Sequence, residues 1–201
     1  MSSASKIILA SASKSRASLL RAAGVNFEIV PTNADEDAVK HTMKAKGATA
    51  AACAEALAEL KAVHVSASRP GSFVIGADQM LECDGAWFDK PADENGARSH
   101  LRKLRDKTHV LPTAVCVALD GIRIWHYVAL PKLTMRAFSE SFVEEYLKAA
   151  GPAVTTSVGA YQLEGPGAQL FSRIEGDFFT ILGLPLLELL TFLREKNVVP
   201  A

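Results

Sequence analysis

Residues 9–16 read Leu-Ala-Ser-Ala-Ser-Lys-Ser-Arg. An apolar run over 6–10 predicts a strand. A helix-forming run over 14–23 follows it and is stopped at Gly24. Ser11 and Ser13 then lie in the turn, and Arg16 lies in the first helical turn. Two hydroxyls, several N–H groups without intrahelical partners and a guanidinium at one helix N-terminus suit an anion, phosphate above all. Each residue also has a plainer use. Ser13 is a good helix N-cap, and Arg16 could be a surface charge.

Four further groups could act with this one. Asp78 ends the apolar run 73–77, and a carboxylate at a strand end can hold a divalent cation or orient a water. Asp35 and Glu36 sit in a polar loop, 32–37. A carboxylate from each of two loops is a common way to hold a cation that bridges phosphates. Arg16, Lys61 and Lys90 could offset phosphoryl charge, although nothing local separates Lys61 from its neighbours. The glycine-rich stretch 159–184 allows close backbone approach to a ligand, or only tight turns.

These groups need elements to position them. After the first strand and helix, 26–30 reads as a strand and the Ala-rich run 48–65 as a helix. Asp84-Gly85 and Asp120-Gly121 are hairpin signals, pairing 79–83 with 86–88 and 110–119 with 122–130. Helices are expected from Asp93 to about residue 105, from Ser139 to Gly151, and over 184–195 with Pro185 in the first turn. Crossovers mixed with hairpins predict an α/β or α+β domain around a mixed sheet.

The 201 residues suffice for one substantial core, and 49% of them are hydrophobic. Lys and Arg number 22, as do Asp and Glu, so the formal net charge is zero. That disfavours broad electrostatic binding to nucleic acid or anionic membrane. Cys53, Cys83 and Cys116 lack zinc or disulfide spacing and read as thiols in a reducing cytosol. The five histidines show no metal-ligand spacing, and His109 reads as structural. The first residues carry no apolar signal core, no stretch is long enough to span a bilayer, and a cytoplasmic location is expected. A P-loop, a GxGxxG fingerprint and an HExxH motif are all absent.

Taken in order and spacing, the segments resemble the Maf family of nucleotide pyrophosphatases across essentially the whole chain. The resemblance rests on Leu9-Ala10-Ser11-Ala12-Ser13 with Arg16, Asp35-Glu36, Lys61, Gly76-Ala77-Asp78 and Lys90-Pro91. It continues through Thr108-His109 with Thr113, Gly159-Ala160-Tyr161, Ile174-Glu175-Gly176-Asp177 and Gly183-Leu184-Pro185. It implies a single α/β domain over 1–201: an elongated Maf/ITPase-like fold, with a curved mixed sheet flanked by helices and two lobes around a central cleft. It further implies hydrolysis of a nucleoside triphosphate to the monophosphate and pyrophosphate with a divalent cation, Mg²⁺ or Mn²⁺. By analogy Asp78 is the proton acceptor and shares the metal with Glu36. Ser11, Ser13, Arg16, Lys61 and Lys90 hold phosphates. A homodimer is expected on the same analogy.

The chain departs from the commonest family pattern at Lys14, Ser15, Gln79, Ala114 and Glu164. Ser15, Gln79 and Glu164 stand where the branch acting on dTTP and UTP has Arg, Thr and Gln. Gln79 with Glu164 resembles instead the branch preferring 7-methyl-GTP, although the aromatic common near Ser15 in that branch is absent. A carboxylate can accept paired N–H bonds from a guanine edge, and an amide offers both donor and acceptor. The alternatives are a dTTP/UTP pyrophosphatase, and a non-catalytic nucleotide-binding regulator of cell division.

Overall fold

The structure, a computed structural model, describes residues 6–200; the N-terminal segment 1–5, expected to carry no signal core, lies outside them. In chain order the elements are β1 (Ile7–Leu9), α1 (Lys14–Ala22), β2 (Glu28–Ile29), α2 (Glu36–Ala45), α3 (Ala50–Ser66) and β3 (Phe73–Gln79). There follow β4 (Leu81–Cys83), β5 (Ala86–Phe88), α4 (Glu94–Leu104), β6 (Thr108–Val110), β7 (Thr113–Leu119) and β8 (Ile122–Ala129). The chain ends with β9 (Lys132–Met135), α5 (Glu140–Ala150), β10 (Phe171–Glu175), α6 (Phe178–Ile181) and α7 (Leu186–Glu195).

These elements form two compact units. The first comprises residues 6–79, 113–129 and 177–200 and holds a five-stranded sheet in the order β2-β1-β3-β7-β8. Here β1 pairs in parallel with both β2 and β3, while β3–β7 and β7–β8 are antiparallel. This is the expected mixed sheet with flanking helices. The second unit, 80–112 and 130–176, holds an antiparallel five-stranded sheet in the order β10-β9-β6-β4-β5.

Strand alternation divides the first unit's core into two layers. Ile7, Leu9, Ile75 and Ala77 face one way, where α1 and α7 bring Leu20, Leu189 and Phe192. Ile8, Ala10 and Val74 face the other way, against Val65 of α3. Gly76 lies on the α3 side. A Cβ there would overlap the Ala58 carbonyl oxygen and lie 2.6 Å from the Ala62 nitrogen. Glycine therefore sets how closely α3 rests on β3.

Three sequence expectations change. The run 110–119 is two strands because Pro112, which has no N–H to donate, separates β6 from β7. Residues 36–45 form α2 where only a loop was read. The segment is polar enough to resemble a loop, but Asp35 caps it by accepting from Ala38 N at 2.9 Å. Strand β9, unforeseen, pairs with both β6 and β10.

Candidate active site

The carboxyl end of β1 leads into α1, and the chain then passes to β2 on one side of β1. It returns through α3, on the opposite face, to β3 on the other side. The β1–β3 boundary is thus a topological switch point, where loops diverge and leave a crevice beyond the strand ends. Ser11 follows β1, and Asp78 is the penultimate residue of β3.

At that place α1 begins with Ser13 as N-cap, its hydroxyl accepting from Arg16 N at 3.4 Å. The plain capping role is real and coexists with anion geometry. Ser11 Oγ accepts from Ser13 N at 3.2 Å and from Arg16 Nη1 at 3.1 Å. A serine hydroxyl has two acceptor positions and one proton. With both acceptor positions engaged, the proton is left to donate, which suits a phosphate oxygen. Arg16 is buried rather than a surface charge, and its Nε donates to the Gly183 carbonyl at 2.8 Å. Burial lowers the Arg16 pKa, and the negative charges of Asp78 and Glu36 oppose that shift.

Lys61 organises the carboxylates. Its Nζ lies 2.6 Å from Asp78 Oδ1 and 2.9 Å from Glu36 Oε2. Lys61 and Asp78 are buried, whereas the Glu36 side chain is 37% exposed. Register explains the meeting. Asp78 is two residues beyond Gly76, so it shares the face on which α3 rests. Its cross-strand neighbour is the small Ala114. On α3, Lys61 falls within the buried stripe of Ala54, Leu57, Ala58, Ala62 and Val65. A lysine in an apolar stripe was the sequence signal that could have singled it out.

Asp35 is exposed and serves as the α2 cap, so of the acidic pair only Glu36 joins the constellation. Gln79, next to Asp78, points to the opposite face. Its Nε2 donates to Thr113 Oγ1 at 2.9 Å and to the carbonyls of Thr180 and Ile181, each at 3.1 Å. Ser15 is half-buried in the first turn of α1. Lys90 and Glu164 are exposed residues of the second unit, Lys90 just after β5 and Glu164 in a turn before β10. The Thr180, Ile181 and Gly183 carbonyls are not legible in the sequence, because a backbone acceptor leaves no mark in residue type.

The donor set can be tested against a divalent cation. Asp78 and Glu36 each spend one carboxylate oxygen on Lys61 and retain a second, and these are hard oxygen ligands. Among the described residues no group of three or more His, Cys, Asp or Glu is arranged to hold a metal. The residues therefore fit an ion of the Mg²⁺ kind, completed by phosphate oxygens and water, and not an ion caged by protein alone. No helix among the described residues is long and apolar enough to cross a membrane.

Comparison with known proteins identifies the family. The chain is 61% identical over 190 residues to a nucleoside triphosphate pyrophosphatase of Paramagnetospirillum magneticum, covering 94% of this chain and 98% of that one. It is 55% identical over 194 residues to a protein of the same name from Hyphomonas neptunium, covering 96% and 98%. It is 45% identical over 194 residues to a 7-methyl-GTP pyrophosphatase of Brucella abortus, again covering 96% and 98%. The model of the Maf-like protein family matches residues 6–196, and the chain belongs to that family.

Proposed function

We propose that the chain is an enzyme that hydrolyses a nucleoside triphosphate to the monophosphate and pyrophosphate, by attack of water at the α-phosphorus. The observation that carries this reading is the pairing of Lys61 with Asp78 and Glu36 at a switch point that also holds Arg16 and Ser11. The names of the relatives support it. Phosphoryl transfer asks for a proton acceptor, an oriented water and positive charge on the leaving group. Asp78 accepts the proton of the attacking water, and Glu36 helps to orient that water. Lys61 fixes the Asp78 carboxylate, so that it meets the water in one orientation. Arg16 and the hydroxyls of Ser11 and Ser13 hold phosphate oxygens. Asp78 and Glu36 would hold Mg²⁺ or Mn²⁺, which would offset triphosphate charge.

The finer reading is a preference for 7-methyl-GTP. The pair Gln79 and Glu164 and the name of the Brucella relative support it. The test is pyrophosphate release from the standard nucleoside triphosphates and 7-methyl-GTP, with Mg²⁺ or Mn²⁺ present. Release from at least one, with 7-methyl-GTP turned over best, is expected. If dTTP and UTP are best and 7-methyl-GTP is inert, the base preference is wrong. Binding of nucleotide without release of pyrophosphate would leave a non-catalytic regulator. Lys90→Ala is expected to lower turnover, as the family resemblance implies.

A further inference from the structure

Gln79 sits beside the reactive carboxylate in sequence but on the opposite face of β3 in space. Its amide nitrogen is committed to two main-chain carbonyls at the end of α6, those of Thr180 and Ile181, and to Thr113 Oγ1. Carbonyl oxygens only accept, so the NH₂ end of Gln79 must face α6. Two residues beyond Ile181, the Gly183 carbonyl accepts from Arg16 Nε at 2.8 Å. A tight turn joins these points, with Gly183 N donating to Thr180 O at 2.9 Å and Gly183 at φ 104°. A Cβ at Gly183 would lie 3.5 Å from Arg16 Nε, so the turn backbone and the guanidinium are packed side by side. The route from Gln79 through the end of α6 to Arg16 is thus continuous, and it lies wholly within the first unit.

We propose that Gln79 is a positioning residue. It anchors the α6–Gly183 turn, and through the Gly183 carbonyl it aims the Arg16 guanidinium at the phosphates, without touching the base. The inference rests on the pyrophosphatase reading for what Arg16 holds. It assigns Gln79 a role that its place in a substrate-preference pattern does not. Gln79 belongs to that pattern, but its amide nitrogen is spent on acceptors of the protein itself rather than offered to a nucleobase.

Inorganic tripolyphosphate has no base and separates the two roles. Its affinity for wild type, Gln79→Ala and Gln79→Glu is measured by calorimetry. Gln79→Glu keeps the side-chain size but cannot donate when ionised. Both variants are expected to bind tripolyphosphate roughly tenfold more weakly, as a misplaced clamp does. Their kcat/KM is expected to fall by the same factor on every nucleoside triphosphate tested. In combination with Arg16→Lys the losses are expected to be less than additive, because the residues act in series. Amide exchange in segment 178–184 is expected to quicken in Gln79→Ala. Unchanged tripolyphosphate affinity, or a loss confined to some bases, overturns the proposal. If wild type releases no pyrophosphate and binds no tripolyphosphate, the pyrophosphatase reading falls. The anchoring is then decided by exchange in 178–184, where an unchanged rate overturns it.

Discussion

At the scale of single residues, the first unit gathers two carboxylates, Asp78 and Glu36, around one ammonium, that of Lys61. Asp78→Asn keeps the volume and removes the carboxylate proposed as proton acceptor. Turnover is expected to fall by about 10²-fold or more, with an unchanged circular dichroism spectrum and pyrophosphate release as the readout. Lys61→Met is a different case. It leaves the buried Asp78 carboxylate without its 2.6 Å partner. Removing one member of a buried pair costs about 3 kcal/mol or more, so urea denaturation should reveal a clear loss of stability alongside lost activity. Glu36→Gln acts on a group 37% exposed. It should lower turnover while moving the urea midpoint little, since pairs with access to water contribute little to stability.

At the scale of elements, the distance between α3 and β3 decides whether Lys61 reaches Asp78. Gly76 permits that distance, for a Cβ there would overlap the Ala58 carbonyl. Gly76→Ala should push α3 outward or strain β3. A cost of about 1–3 kcal/mol is expected for such overpacking, with a loss of activity larger than the change in thermal midpoint implies. Helix α1 is capped by Ser13, whose neighbour Ser11 is pinned by Arg16 Nη1 and Ser13 N. Its N-terminus is therefore organised by the chain's own side chains.

At the scale of the molecule, the chain contributes three segments to the first unit and two to the second. The second unit holds a buried titratable group, His109. Its Nε2 is 2.8 Å from the Tyr161 hydroxyl, and it is packed with Tyr161 and Phe171. Burial pushes its pKa down from 6.5 to about 4. The sign follows directly. Between those values the unfolded chain takes up a proton that the native protein does not, so stability falls as pH drops from 6.5 toward 4 and is intact above that window. The loss is on the order of 3 kcal/mol. His109→Gln can still hydrogen-bond Tyr161 but does not titrate. It should flatten urea midpoints measured across that window. Cys116, whose thiol is pushed up to about 12 by burial, should stay unreactive toward thiol reagents in the native protein.

Much of this was legible in the sequence because it is settled within a few residues. Ser13, Asp93 and Ser139 cap α1, α4 and α5 through bonds to the third residue on. Asp84-Gly85 and Asp120-Gly121 make hairpin turns because both residues of each pair take positive φ. The strand–helix turn at Ser11 to Arg16 was likewise a local pattern, and it brings Ser11, Ser13 and Arg16 together. What tertiary structure alone decided lies between residues far apart in the chain. Arg16 meets the Gly183 carbonyl across a separation of 167 residues, and Lys61 joins Asp78 with Glu36 of an unforeseen helix. Gln79 faces away from Asp78 only because strands alternate, and it meets α6 only because the chain returns there. Residue types record which chemistry is available. Which groups meet depends on strand order, register and a glycine-limited helix approach, and those are properties of the whole sheet.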